Sequence, residues 1–254
     1  MTDPQPTPAE QAAAALSAVA ESTGHLLHTV AELNPAALVE PSGLPGWTRG
    51  HVLAHLARNA DSLVNLLESA RTGRDIPQYA SEQAREDGIQ QGAGRPLPEH
   101  LADLRESAGR LAEAAAALPA EAWAATLRHR HGYTFPAAEL PLKRLGELEY
   151  HHVDLAAGYT PAHWPADFAA AEFGKLATMF AKLDGIPGLD LLAEDTGERA
   201  RLGSDTSELR VEGPVRALTA WLSGRSDGDG LQVHRDGGPL ADPRSALPTL
   251  PPMG

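Results

Sequence analysis

Apolar positions recur at helical spacing through most of the first 160 residues and give way to short alternating runs in the final third. The segment "TPAE", residues 7–10, has the form of a capping box with Pro8 at the first helical position, which predicts a helix from about residue 8 to near 33. "NPAALVEPSGLPG" then reads as a connector punctuated by Pro and Gly. Thr48 can cap a second helix over "RGHVLAHLARNADSLVNLLESART", where Val52, Leu56, Leu63 and Leu67 form an apolar stripe and Gly73 marks the stop. A short helix is expected from about Ser81. A third long helix runs from Pro98 through "EHLADLRESAGRLAEAAAAL", and a loop containing "RHRHGYTF" leads to a fourth over "RLGELEYHHVDLAAGY", residues 144–159. Four long helices in this span predict a helical bundle.

The pattern then changes. One more helix, about residues 166–183, precedes the strand-like runs "LDLLAED", "ERARLG", "ELRVEG" and "GLQVHRD", with a helix at "PVRALTAWLSG". The fold class expected is mainly α: a four-helix bundle over residues 1–165, then a small α+β domain over residues 166–254. Its tail, "PLADPRSALPTLPPMG", is Pro-rich and expected to be irregular.

Composition narrows the function classes. With 42% hydrophobic and 22% charged residues, the 254-residue chain has the balance of an ordinary globular protein. A net charge of -13 without any basic block argues against nucleic acid and anionic membranes as partners. No apolar run reaches the length of about 20 needed to span a bilayer, and the N-terminus lacks a signal-peptide pattern, so a cytoplasmic location is expected. The absence of cysteine excludes disulfides, cysteine-ligated zinc and a protein thiol nucleophile. Any sulfur chemistry must use a thiol from outside.

Two helices carry the candidate chemistry. His51 and His55 lie one turn apart on the second; Glu147 and His151 lie one turn apart on the fourth, with Asp154 further along the same face. Neutral imidazoles and a carboxylate are usual zinc ligands, and such pairs on facing bundle helices can converge on one ion. A catalytic ion with an open position needs only three of the four. The spacing also fits partly buried imidazoles and a simple ion pair. His25, His28, His100, His129, His131, His163 and His234 read as surface or loop residues.

Taken together, "LPGWTRGHVLAHLARNADSLVNLL", "GRDIPQYASEQAR", "RLGELEYHHVDL" and "WLSGRSDG" resemble, in order and over nearly the whole chain, mycothiol-dependent maleylpyruvate isomerase. That family joins a DinB-like four-helix bundle to a small C-terminal α/β domain. The resemblance implies His55, Glu147 and His151 as ligands of zinc or another divalent metal, with His51 in a supporting or packing role. His152 and Asp154 belong to the motif without being ligands, Asp154 being suited to orient a ligand imidazole. Arg85 and Arg225 match functional positions and become the catalytic candidates, although an exposed arginine and a helix-end cation are their plain alternatives. Tyr79 becomes a substrate contact.

The implied cofactors are the metal and mycothiol; the implied partners are a small dicarboxylate keto acid and that low-molecular-weight thiol. The implied reaction is cis–trans isomerisation of maleylpyruvate to fumarylpyruvate by reversible thiolate addition. Because Arg225 belongs to the second domain, the active site is expected at the cleft between domains. Two alternatives remain at this level: a thiol S-transferase acting on another electrophile, and a non-catalytic metal-binding stress protein in which His51 closes the site as a fourth ligand.

Overall fold

The computed structural model describes residues 5–203 and 209–251, so Glu208 of the run "ELRVEG" and the last residues of the tail lie outside the described residues. The chain divides into two compact units, Met1–Tyr159 and Thr160–Gly254. It is mainly α, a helical bundle followed by a small α+β unit, as the apolar pattern predicts.

In the first unit, α1 (Pro8–Ala31) opens on the expected capping box between Thr7 and Glu10. Helix α2 (Arg49–Thr72) starts at Thr48 and ends at Gly73, whose φ of 68° supplies the left-handed cap. Helices α3 (Glu82–Ala93) and α4 (Leu97–Ala116) follow, and α5 (Leu140–Asp154) closes the bundle. Helix α2 is central: it packs against α3, α4 and α5, while α1 packs against α5 and α4. Its stripe residues Val52, Leu56, Leu63 and Leu67 are all buried, each worth roughly 1.5–3 kcal/mol relative to exposure. Two glycines let α3 approach it closely. A Cβ on Gly92 would stand 2.7 Å from the Ala54 Cβ, and one on Gly50 would overlap the Ala93 carbonyl. This crossing fixes the helix that carries Arg85.

Three local expectations need correction. Helix α5 begins four residues early, at Leu140, and stops at Asp154. Ala156 and Gly158 adopt positive φ of 50° and 91°, so the chain turns where continued helix was expected. The stretch around "RHRHGYTF" is a hairpin, β1 (Thr126–Arg128) with β2 (Thr134–Pro136), whose opposed Leu127 and Phe135 are both buried. His100, expected at the surface, is buried in α4.

The second unit packs α6 (Ala166–Phe180) and α7 (Val215–Leu222) with a five-stranded sheet. Its strands are β3 (Leu189–Ala193), β4 (Arg199–Leu202), β5 (Leu209–Gly213), β6 (Gln232–Arg235) and β7 (Gly238–Pro239), in the order β4-β3-β5-β6-β7. The β3–β5 pair is parallel and the others antiparallel. Phe173, Phe180, Leu191, Val211, Trp221 and Val233 form its core. The tail expected to be irregular opens on the last residue of β7 and contains a single turn, α8 (Pro243–Ala246). His234, expected in a loop or at the surface, is in β6, half-buried, with Nε2 3.2 Å from Glu212 Oε2. Among the described residues no helix is long and apolar enough to cross a membrane.

Candidate metal centre

Helices α2 and α5 lie side by side and bring His55, Glu147 and His151 together, one potential ligand atom from each lying within 4.8 Å of the others. One carboxylate oxygen faces both imidazoles: Glu147 Oε2 is 2.9 Å from His55 Nε2 and 3.3 Å from His151 Nε2. The two rings meet edge to face, with centroids 4.7 Å apart. On its other side, His151 Nδ1 is 2.8 Å from Asp154 Oδ2. A carboxylate there fixes the imidazole's orientation and leaves Nε2 to face Glu147.

Environment sets the charge of each donor. Burial holds the His55 imidazole down to about 4, outweighing its hydrogen bond to Glu147, so it is neutral at pH 7. Burial alone would raise the Glu147 carboxyl, but hydrogen bonds from His151 and His55 prevail and hold it well below the ordinary carboxylate range. For His151 burial opposes the charge, and hydrogen bonds to Asp154 and Glu147 overcome it and raise the pKa. An ionised carboxylate beside a buried neutral imidazole, with a second imidazole held between two carboxylates, is a donor set suited to a divalent cation. A cation would take the place of the proton that this cluster otherwise shares. His55 Nδ1 is buried and makes no hydrogen bond.

Two arginines bracket the ligands and fix the relation of the helices. Arg49, in the first turn of α2, donates from Nε to the Leu155 carbonyl at 2.7 Å and from Nη2 to that of Ala156 at 3.0 Å, beyond the end of α5. Arg144, one turn before Glu147, donates from Nη1 to the Leu56 carbonyl at 2.9 Å and to Asn59 Oδ1 at 2.7 Å. Arg144 is only 2% exposed, and burial lowers its pKa to about 10, leaving it charged. Sequence reading singled out neither arginine nor Asn59. Arg144 and Asn59 each lie about one turn from a ligand and Arg49 lies six residues before His55, positions that have meaning only once the helices are known to face each other.

His51 is committed elsewhere. Its Nδ1 accepts from the Thr48 backbone N–H at 3.2 Å and lies 2.7 Å from the Thr48 hydroxyl, while Nε2 is 3.1 Å from Gln90 Oε1. It does for α2 what the glutamate of a capping box does. His152 faces away from the cluster, with Nε2 2.7 Å from Thr29 Oγ1 and its ring stacked on Tyr159 at 3.7 Å. Beside it, Glu149 is buried and accepts from the hydroxyls of Ser22 and Tyr159, the latter at 2.6 Å.

Arg85 occupies the first turn of α3, its guanidinium carbon 6.0 Å from the centre of the Tyr79 ring. Its side chain is 17% exposed, and its ion pair, to Glu86, is long at 4.0 Å. A half-buried guanidinium with so weak a partner retains the capacity to bind a carboxylate. Arg225 follows α7 in the second unit, where Nη1 donates to the Ser223 carbonyl at 2.7 Å.

The family model described as the mycothiol maleylpyruvate isomerase N-terminal domain matches residues 6–156, which hold α1 through α5 and the whole candidate centre. In three dimensions the chain is similar to a crystal structure of a mycothiol-dependent maleylpyruvate isomerase, with a TM-score of 0.83 at 28% identity. That match covers 91% of this chain and 95% of the other. A second crystal structure, of a histidine-to-alanine mutant of such an enzyme, matches with the same values. No curated protein sequence matches the chain.

Proposed function

The chain belongs to the mycothiol maleylpyruvate isomerase family, and from that premise we propose that it isomerises maleylpyruvate to fumarylpyruvate with mycothiol and a divalent metal as cofactors. The observation that carries this reading is the convergence of His55, Glu147 and His151 on facing helices of the matched segment. Two imidazoles and a carboxylate favour zinc and also suit other divalent ions.

When bound, the metal ionises the thiol, and the thiol supplies the nucleophile whose reversible addition to the alkene carbon β to the ketone turns the cis double bond into a rotatable single bond. The chain's own residues do the rest. His55, kept neutral by burial, and Glu147, kept ionised by its two imidazoles, provide donors without prior loss of a proton at pH 7. Asp154 orients His151. Arg85 takes a substrate carboxylate in its planar fork, and charge developing on the ketone oxygen is stabilised by Arg85 and Arg225. The chain has no cysteine, which accords with a borrowed sulfur. A reaction fed by such a thiol also accords with a cytoplasmic location.

The test is turnover of maleylpyruvate by metal-loaded protein with and without mycothiol. Thiol-dependent release of fumarylpyruvate is the expected result. A stable sulfur conjugate in its place would identify a transferase, and bound metal without any thiol-dependent chemistry would defeat the enzymatic reading.

A further inference from the structure

Beside the candidate centre, within the first unit, is a cleft of about 440 Å³ between the segment that follows α2 and the β1–β2 hairpin. Asp75, Gln78, Tyr79, Glu82, Arg128 and Arg130 contribute to its walls. The frame is rigid. Buried Gln78 donates from Nε2 to Ser62 Oγ at 3.2 Å and accepts from the Arg130 backbone N–H at 3.2 Å, and its own carbonyl accepts from Asn65 Nδ2 at 3.1 Å. One amide thus joins α2, the loop and the hairpin. Across the cleft His129 stacks on Tyr133, with centroids 4.4 Å apart.

The charges in this wall cancel. Arg130 pairs with Glu82 at 2.9 Å and Arg128 with Asp75 at 3.5 Å, and burial holds His129 down to about 4, hence neutral at pH 7. A dicarboxylate would find no uncommitted cation among these residues, in contrast to Arg85, which does not line the cleft and has only a long ion pair to Glu86. What the cleft offers is donors and acceptors in balance, together with ring faces. That is the chemistry that recognises an uncharged, hydroxyl-rich ligand.

Its location fits the same ligand. Ser62, which anchors Gln78, lies seven residues beyond His55 on α2, about 10 Å along the helix axis. The hairpin rests on α5 just before Glu147, with Lys143 Nζ 4.4 Å from the centre of the Phe135 ring. Tyr79 and His129 both feel the Glu147 charge.

We propose that this cleft binds the sugar–cyclitol part of the thiol cofactor, so that its sulfur arm extends to His55, Glu147 and His151. The inference rests on the function proposed above. It separates two recognition tasks: the cleft selects the thiol, and Arg85 selects the substrate.

The experiment follows the thiolate absorption band of cobalt-loaded protein while mycothiol, or N-acetylcysteine as the same sulfur arm without the sugar, is titrated in. The wild-type protein is compared with two double variants, Asp75→Ala with Arg128→Ala and Glu82→Ala with Arg130→Ala. The first pair lies at an exposed rim, with side chains 72% and 62% accessible, so its removal leaves the fold intact. Expected is wild-type preference for mycothiol and, in the variants, mycothiol affinity lower by about tenfold with cobalt content and N-acetylcysteine binding unchanged. Equal weakening of both thiols, unaltered mycothiol affinity, or a wild-type protein that does not prefer mycothiol would each overturn the inference alone. Absence of a thiolate band with either thiol in the wild-type protein would overturn the proposed function, and this inference with it.

Discussion

Helix α5 carries two carboxylate–imidazole pairs on different faces, and their surroundings are opposite in kind. Glu149 and His152 face α1, where Ser22, Thr29 and the returning Tyr159 meet them with hydroxyl groups. Glu147 and His151 face α2, where Glu147 meets a third titratable group, His55. A carboxylate satisfied by hydroxyls is a finished structural joint. A carboxylate satisfied by imidazoles is a provisional one, because an ion can displace the shared proton and take all three donors at once. Residue type alone does not separate the pairs; the chemistry of what packs against each face does.

That contrast breaks most directly by exchanging the two glutamates' fates. Glu147→Gln should lose bound metal, with affinity reduced more than about 100-fold and activity lost with it, while Glu149→Gln should keep its metal. Metal content after gel filtration decides between them. Conversely, Glu149→Leu leaves the buried Ser22 hydroxyl and the half-buried Tyr159 hydroxyl without their acceptor and should cost about 3 kcal/mol in urea unfolding, whereas Glu147→Gln should cost far less. Asp154→Asn tests the orientation of His151: metal affinity should fall by about 10–100-fold in competition with a chelator, with little change in stability.

Asn59→Ala removes one acceptor of the buried Arg144 and should cost about 1–2 kcal/mol, again read in urea. The smallest effect lies away from both faces. Burial, with His131 and Lys143 nearby, holds His129 down to about 4 in the fold, while the unfolded chain protonates it near 6.5. The unfolded state therefore binds the extra proton between those values, and stability should fall as pH is lowered through that window. His129→Gln should flatten the fall by roughly 1 kcal/mol, the full shift being discounted for partial solvation. An unchanged slope would remove His129 as its source.

Much of this was legible in the sequence, for identifiable reasons. The caps at Thr7, Thr48 and Gly73 are local chemistry, and they gave the starts of α1 and α2 and the end of α2. The pairing of Glu147 with His151 follows from helical period alone. The hairpin was missed because three-residue strands around "HRHGY" are too short to show alternation, and the end of α5 was missed because left-handed Ala156 carries no sequence mark. The role of Glu149 was illegible for a deeper reason. Its partner Ser22, like Thr29 against His152, comes from α1, more than 120 residues earlier, and only the packing of α1 on α5 brings them there.

The cap at Thr48 has a further consequence, for how many nitrogens the centre can recruit. His51 lies one turn from His55, near enough in sequence to serve as another donor, yet its Nδ1 is already engaged with the backbone that starts α2. Capturing it would require the first turn to give up that cap, at a cost of roughly 1 kcal/mol. Helix nucleation thus acts as a restraint on coordination number: the hydrogen bond that begins the helix also holds one imidazole in reserve.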